Sequence, residues 1–260
     1  RSSDLISNFQ TWINDNKLVF NSNVNDISKG YTVTAYNTSG TQTTISTVTG
    51  TTHDGFGVTG SSSGDATEIG YNNTTKSSEV LKVAFVNDVS SVDVTFAWKH
   101  AGTNPETAVI KFYRDGVLVG TQTHTGGTDT VDGPFTLTAD NGVAFDEVRF
   151  SALGADDDYL IHEISFIEVA TNNNGAIVGE IYNVDISAAL ADTDGSETLS
   201  VIIKNVPASA TLESSKYEVS KNSDGSYTVK VPQGETSISD KLTMKVPQED
   251  AKNINLQIEA

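Results

Sequence analysis

The chain has 260 residues, with 34 Asp and Glu against 16 Lys and Arg, for a formal net charge of −18, and it contains no cysteine. A field of that sign repels phosphate backbones and anionic lipid, which sets nucleic acid and bare membrane aside as partners and favours cations. Without thiols, disulfides, thiolate metal sites and cysteine nucleophiles are excluded, so in an extracellular setting metal ions are the obvious crosslink to hold the fold.

The length allows one large domain or two ordinary ones, and 37% hydrophobic residues are enough for packed cores. No apolar run approaches the roughly 18 residues that cross a bilayer, and the N-terminus lacks a charged-then-apolar signal pattern, so the chain reads as a soluble piece of something longer. Thr, Ser, Asn and Gly are abundant while Met is single, a balance that suits strands joined by turns. The expected class is all-β.

Ser3 to Asn14, SDLISNFQTWIN, spaces Leu5, Ile6, Phe9, Trp12 and Ile13 as the apolar face of one short helix behind a Ser or Asp cap. Period two then takes over in YTVTAY (Tyr31 to Tyr36), EVLKVAFV (Glu79 to Val86), VDVTFAW (Val92 to Trp98), AVIKFY (Ala108 to Tyr113), FTLTA (Phe135 to Ala139), EVRFSA (Glu147 to Ala152) and LIHEISFIEV (Leu160 to Val169). Short alternating strands between Gly, Asn, Asp and Ser clusters are what a β-sandwich needs. Arg114 to Gly116, RDG, marks a hairpin between AVIKFY and VLVGTQT. TNNNG, Thr171 to Gly175, reads as a linker, after which IYNVDI, TLSVIIKNV, KYEVSK, SYTVKV, KLTMKV and INLQIEA form a second, smaller sandwich. The expected division is therefore 1–170 and 171–260. The second sandwich lacks an obvious closing strand, which truncated sequence or the N-terminal segment would supply.

LADTDGSETLS, Leu190 to Ser200, places Asp192, Asp194 and Glu197 within six residues. Calcium takes six to eight oxygen ligands, and an acidic loop with a Gly turn offers them. The spacing is not that of an EF-hand, and a solvated turn is the competing reading. In the first sandwich three loops carry groups suited to recognition: WKHAGTNPET with Trp98 and His100, TGGTDTVDG with Asp129 and Asp132, and ADDDY with Asp156, Asp157, Asp158 and Tyr159. A calcium on Asp156, Asp157 and Asp158 would present open positions to a ligand carboxylate or to vicinal sugar hydroxyls. Tyr159 and Trp98 would add a ring platform. Trp98, however, shares parity with Val92, Val94 and Phe96, which argues for the core. The four histidines are scattered without paired zinc spacing and no Ser sits in a GxSxG elbow, so catalysis is not supported.

GEIYNVDISAALADTDGSETLSVIIKNVPASATL, with DGSYTVKVP and SISDKLTMKVP, resembles the immunoglobulin-like repeats of giant bacterial RTX adhesins over nearly all of Ala176 to Ala260. That resemblance implies calcium on Asp192, Asp194 and Glu197, with Asp185, Asp224 and Asp240 as weaker candidates. In the first sandwich HDGFGVTG, EIG, SEVLKVAF, FDEVRF and DDDYLIHEISF resemble the lectin-like and peptide-binding modules of the same adhesins. There the resemblance implies a calcium site from a Gly-rich loop together with Asp54, Glu68, Glu79 and Asp146. The implied protein is a calcium-dependent, non-enzymatic ligand-binding region on the outside of a bacterial cell, a monomeric unit of a longer chain. Its expected partner is a peptide or protein end on a target surface; a glycan, a purely structural spacer and an accessory module of a polysaccharide-degrading enzyme are the alternatives.

Overall fold

The computed structural model describes residues 10–11, 16–19, 30–50, 53–60, 62–99, 102, 104–191, 198–251 and 254–259. The chain is all-β and divides into two compact units, a large one over Asp15–Ile177 and a small one made of Arg1–Asn14 with Val178–Ala260. The division thus falls a few residues beyond the expected 170/171, and the first 14 residues group with the small unit. Of the stretch expected as a helix, Gln10 and Thr11 form a short strand, β1 (Gln10–Thr11); the rest lies outside the described residues.

The large unit contains β2 (Asn16–Val19), β3 (Tyr31–Tyr36), β4 (Gln42–Thr43), β5 (Ile45–Val48), β6 (Gly55–Val58), β7 (Ile69–Asn72), β8 (Ser77–Ser78), β9 (Val80–Trp98), β10 (Thr107–Arg114), β11 (Val117–Thr125), β12 (Val131–Leu137), β13 (Phe145–Ala152) and β14 (Asp158–Thr171). EVLKVAFV and VDVTFAW, two strands by pattern, are the two halves of the 19-residue β9. Its first half pairs with β3 and β13 (Val83 opposite Val33 and Val148), its second half with β12 and β14 (Val94 opposite Phe135 and Ile164). The buried positions change parity along the way: Leu81, Val83 and Phe85 point into the core first, then Val92, Val94, Phe96 and Trp98. Register breaks between Ala84 and Val89 against β13, and between Val89 and Ser91 against β14, accompany the change. One strand therefore belongs to both layers, and the sheets wrap a single core.

The first layer runs β11, β10, β13, β9, β3, β4, and the second runs β12, β9, β14, with β7, β6 and β2 along the far edge of β14. Between them lie Tyr31, Phe56, Phe85, Phe96, Trp98, Phe112, Phe145, Phe150, Tyr159 and Phe166, all buried. Asp115 (φ 49°) and Gly116 (φ 77°) make the two-residue turn between β10 and β11 that RDG announced. TNNNG is an ordered turn. Asn172 Oδ1 accepts from the N–H groups of Asn174 (3.0 Å) and Ala176 (3.1 Å), while Gly175 takes φ 78° with no room for a Cβ beside Arg114.

The small unit contains β1 with β15 (Ile177–Ala189), β16 (Ser200–Lys204), β17 (Thr211–Glu213), β18 (Glu218–Lys221), β19 (Tyr227–Lys230), β20 (Ser237–Pro247) and β21 (Gln257–Glu259). β15 pairs with β20 from Gly179 to Ala189, β17 adds to β20, and β1 lies on the other edge of β15, Thr11 opposite Val184. The second sheet is β18, β19, β16, β21. Val184, Ile186, Val201, Ile203, Val229, Leu242 and Met244 fill the space between the two. The N-terminal segment thus lends this sandwich a strand.

Candidate functional site

At one end of the large unit, chain reversals gather charge that the core cannot hydrate. Glu79 (0% exposed), Glu106 (1%), Glu68 (2%) and Asp158 (8%) are buried there. A buried carboxylate is costly unless hydrogen-bonded or paired, and each of the four has a backbone or side-chain donor. Gly70, in β7, links two of them. It stands opposite Asp158 in the ladder, accepts the Glu79 N–H, and donates its own N–H to Glu79 Oε2 at 3.1 Å. Asp158 Oδ2 in turn accepts the Asp65 N–H at 2.8 Å, drawing the Ser62 to Glu68 loop over it.

Glycine makes this approach feasible. A Cβ on Gly60 would lie 1.4 Å from Glu79 Oε1, and one on Gly64 would lie 2.2 Å from Asp158 Oδ2. A Cβ on Gly70 would meet Ser62 Oγ at 2.6 Å. Glu79 and Asp158 thus sit in a cradle, against backbone at positions where glycines leave room for their carboxylates. Carboxylate oxygens are the ligand type that a hard cation takes. Among the described residues, no three His, Asp or Glu side chains converge as a side-chain-only metal site.

Beside the cradle the charges are ion-paired. His53 Nε2 lies 2.9 Å from Glu68 Oε1, Lys99 Nζ lies 3.3 Å from Asp65 Oδ2, and Glu106 Oε2 accepts the Lys99 N–H at 3.0 Å. The hydrogen bond to Glu68 raises the His53 pKa, opposed by burial and helped by the charges of Glu68 and Glu106. Lys99 is likewise raised, first by its hydrogen bond to Asp65, with Glu68 and Asp158 contributing. Asp65 is lowered, chiefly by the Thr67 hydroxyl and N–H that it accepts. Glu68 Oε2, buried, has no hydrogen-bond partner among the described residues. Four carboxylates, Asp65, Glu68, Glu106 and Asp158, thus lie around Lys99 and His53.

The remaining expected site residues disperse. Asp54 pairs with His162 through Oδ1 and Nδ1 at 2.9 Å. Asp146 lies at the opposite end of β13 from the cradle, where Oδ2 accepts the Asp115 N–H at 2.9 Å and ties down the β10–β11 turn. The three members of the DDD run make different contacts. Asp156 is exposed, Asp157 accepts the N–H groups of Thr107 (2.8 Å) and Gly154 (2.7 Å), and Asp158 enters the cradle. Burial raises the Asp157 pKa against those two hydrogen bonds.

The ring platform is corrected. Trp98 and Tyr159 are buried, their ring centroids 5.4 Å apart, and the Tyr159 hydroxyl donates to the Ser151 carbonyl at 3.0 Å. Tyr159 stands opposite Trp98 in the ladder, at the end of β14 where four successive residues are buried. Asp129 is exposed, and Asp132 Oδ2 lies 3.8 Å from His124 Nε2. His100, Asp192, Asp194 and Glu197 lie outside the described residues. Sequence reasoning missed Glu106, His53, Asp65 and Lys99. The only sequence signal was that Lys99 and Glu106 share the WKHAGTNPET loop. No protein-family model matches the chain, and no curated protein matches it.

Proposed function

We propose that the chain is the calcium-dependent ligand-binding region of a bacterial surface adhesin, the large unit recognising a peptide or protein end on a target surface and the small unit serving as an immunoglobulin-like extender. The observation that carries this reading is the surplus of buried carboxylate at one end of the large unit, with Glu79 and Asp158 held in a cradle that side-chain-bearing residues would fill. A calcium ion there would offset the repulsion and stiffen the Ser62 to Glu68 loop beside the exposed groups of Asp65 and Lys99. The reading is of a binder, not an enzyme, working outside the cell as part of a longer chain. Within it the peptide ligand stands ahead of the glycan, because burial of Trp98 and Tyr159 removes the rings on which a sugar would have stacked.

The test is a thermal melt in EDTA, in about 10 mM calcium, and in magnesium at the same concentration. Extracellular calcium modules have dissociation constants of roughly 0.1 to 1 mM, and a hundredfold excess over that constant stabilises by about 2.7 kcal/mol per site. The expected result is a rise of several degrees specific to calcium, abolished for the large unit by Glu79→Gln. An unchanged melting temperature would remove the mechanism.

A further inference from the structure

Outer strands expose unpaired backbone N–H and C=O groups, and proteins guard them with charge, proline or bulges. β12 is guarded: Pro134 offers no N–H, and the ladder to β9 breaks between Asp132 and Phe135. β11 is not guarded in the same way. Its single irregularity lies near Val119, leaving Gly120 to Thr125 in regular register with β10. Nowhere from Val117 to Thr125 is there an Asp, Glu, Lys, Arg or Pro. Among the described residues its register is with β10, while β12 takes its register from β9.

A groove of about 380 Å³ adjoins the near end of this strand, lined by Leu118, Val119, Thr121, Asp140, Asn141 and Val143. The turn after β12 forms its other wall: the Asp140 backbone N would lie 2.7 Å from a Cβ on Gly120, and Gln122 Nε2 donates to the Thr138 carbonyl at 3.0 Å. Val117 and Leu118 are exposed beside it, and so are Asp115 and Asp140. On the neighbouring strand Arg114, opposite Val117, lies 3.6 Å through Nε from Asp115 Oδ2, and Lys111 stands opposite Thr121; Asp140 is in no ion pair among the described residues.

We propose that β11 takes an extended peptide from the target protein as an added strand, pairing along Thr121 to Thr125, with an apolar side chain in the groove and a basic residue facing Asp140. Strand addition draws affinity from main-chain hydrogen bonds and selectivity from alternate side chains. A second copy of this chain is disfavoured as the occupant, because two chains of −18 repel. A neutral strand with a basic flank is not repelled. The inference rests on the peptide-binding reading for the kind of ligand but does not need the calcium.

The test uses the synthetic peptide acetyl-KTVTITVK-amide and its counterpart with glutamate at both ends, each added to the full chain in EDTA, with amide hydrogen exchange as the readout. The lysine peptide should slow exchange across Gly120 to Thr125 by about tenfold or more, and the glutamate peptide should do so less. Adjacent residues of an antiparallel strand direct their N–H groups to opposite edges. Of Gln122→Pro and Thr123→Pro, one therefore breaks the ladder to β10 and lowers the melting temperature, while the other leaves it and should abolish the protection. If both unfold the edge, the lysine peptide N-methylated at alternate residues supplies the block from the other side. No protection by the lysine peptide overturns the proposal, and so does protection that survives the melt-neutral proline or the N-methyl block. A calcium-specific rise in melting temperature without protection of β11 would sink this inference and leave the calcium reading standing; protection in EDTA with no calcium effect would do the reverse.

Discussion

His53 shows how much one pairing decides. Its ring is held by Glu68, and the hydrogen bond raises its pKa above the ordinary value of 6.5, so the folded protein binds that proton more tightly than the unfolded chain. The resulting stabilisation is complete below about pH 6.5 and fades as pH rises through the higher folded value. His53→Gln should therefore lower the melting temperature most near pH 6 and little in alkaline solution; a difference that does not change with pH would show that the pair contributes only packing. The sequence placed Glu68 and Glu79 in one site, and the structure brings both to the same end of the sandwich. It could not reveal that Glu68 answers to a histidine while Glu79 answers to Gly70, because both lie in polar, alternating surroundings where burial leaves no mark. Glu106 was invisible for the same reason: in a ten-residue loop nothing distinguishes an inward carboxylate from a solvated one.

Strands were the most legible elements, since β3, β10 and the second half of β13 follow the period-two pattern, while β14 buries its first four residues in a row. The continuity of β9 was not legible. NDVSS between its halves reads as a turn, yet it is extended, because register breaks let one chain change layers without reversing. The β10–β11 hairpin was legible from RDG, but its tether was not. Asp146 accepts the Asp115 N–H across 31 residues, and burial raises its pKa against that bond. Asp146→Ala should cost the hairpin about 1 kcal/mol, the ordinary net value of one hydrogen bond. It should leave the calcium response of the large unit intact, measured as the same calcium-induced shift from a lower starting melting temperature; loss of that shift would return Asp146 to the metal site.

At the scale of the whole molecule, composition and alternation were enough for the all-β class, whereas TNNNG, read as a linker, is an ordered turn within the large unit. Gln10 and Thr11, read within a helical spacing, form a strand because β15 pairs with them, and a local spacing does not contain that partner. The large unit is consequently a parenthesis. The chain opens the small sandwich with β1, departs at Asp15, and resumes it at Val178. A segment bracketed in this way is exchangeable without disturbing its host, much as a gemstone is changed in a fixed setting. Replacing residues 15–177 by a short Gly-rich turn should leave a protein of about a hundred residues that still melts cooperatively, in the size range of ordinary domains. Deleting residues 1–14 as well should lower that transition, since the edge of β15 then loses β1. Equal stability of the two would mean that the host closes without its first strand.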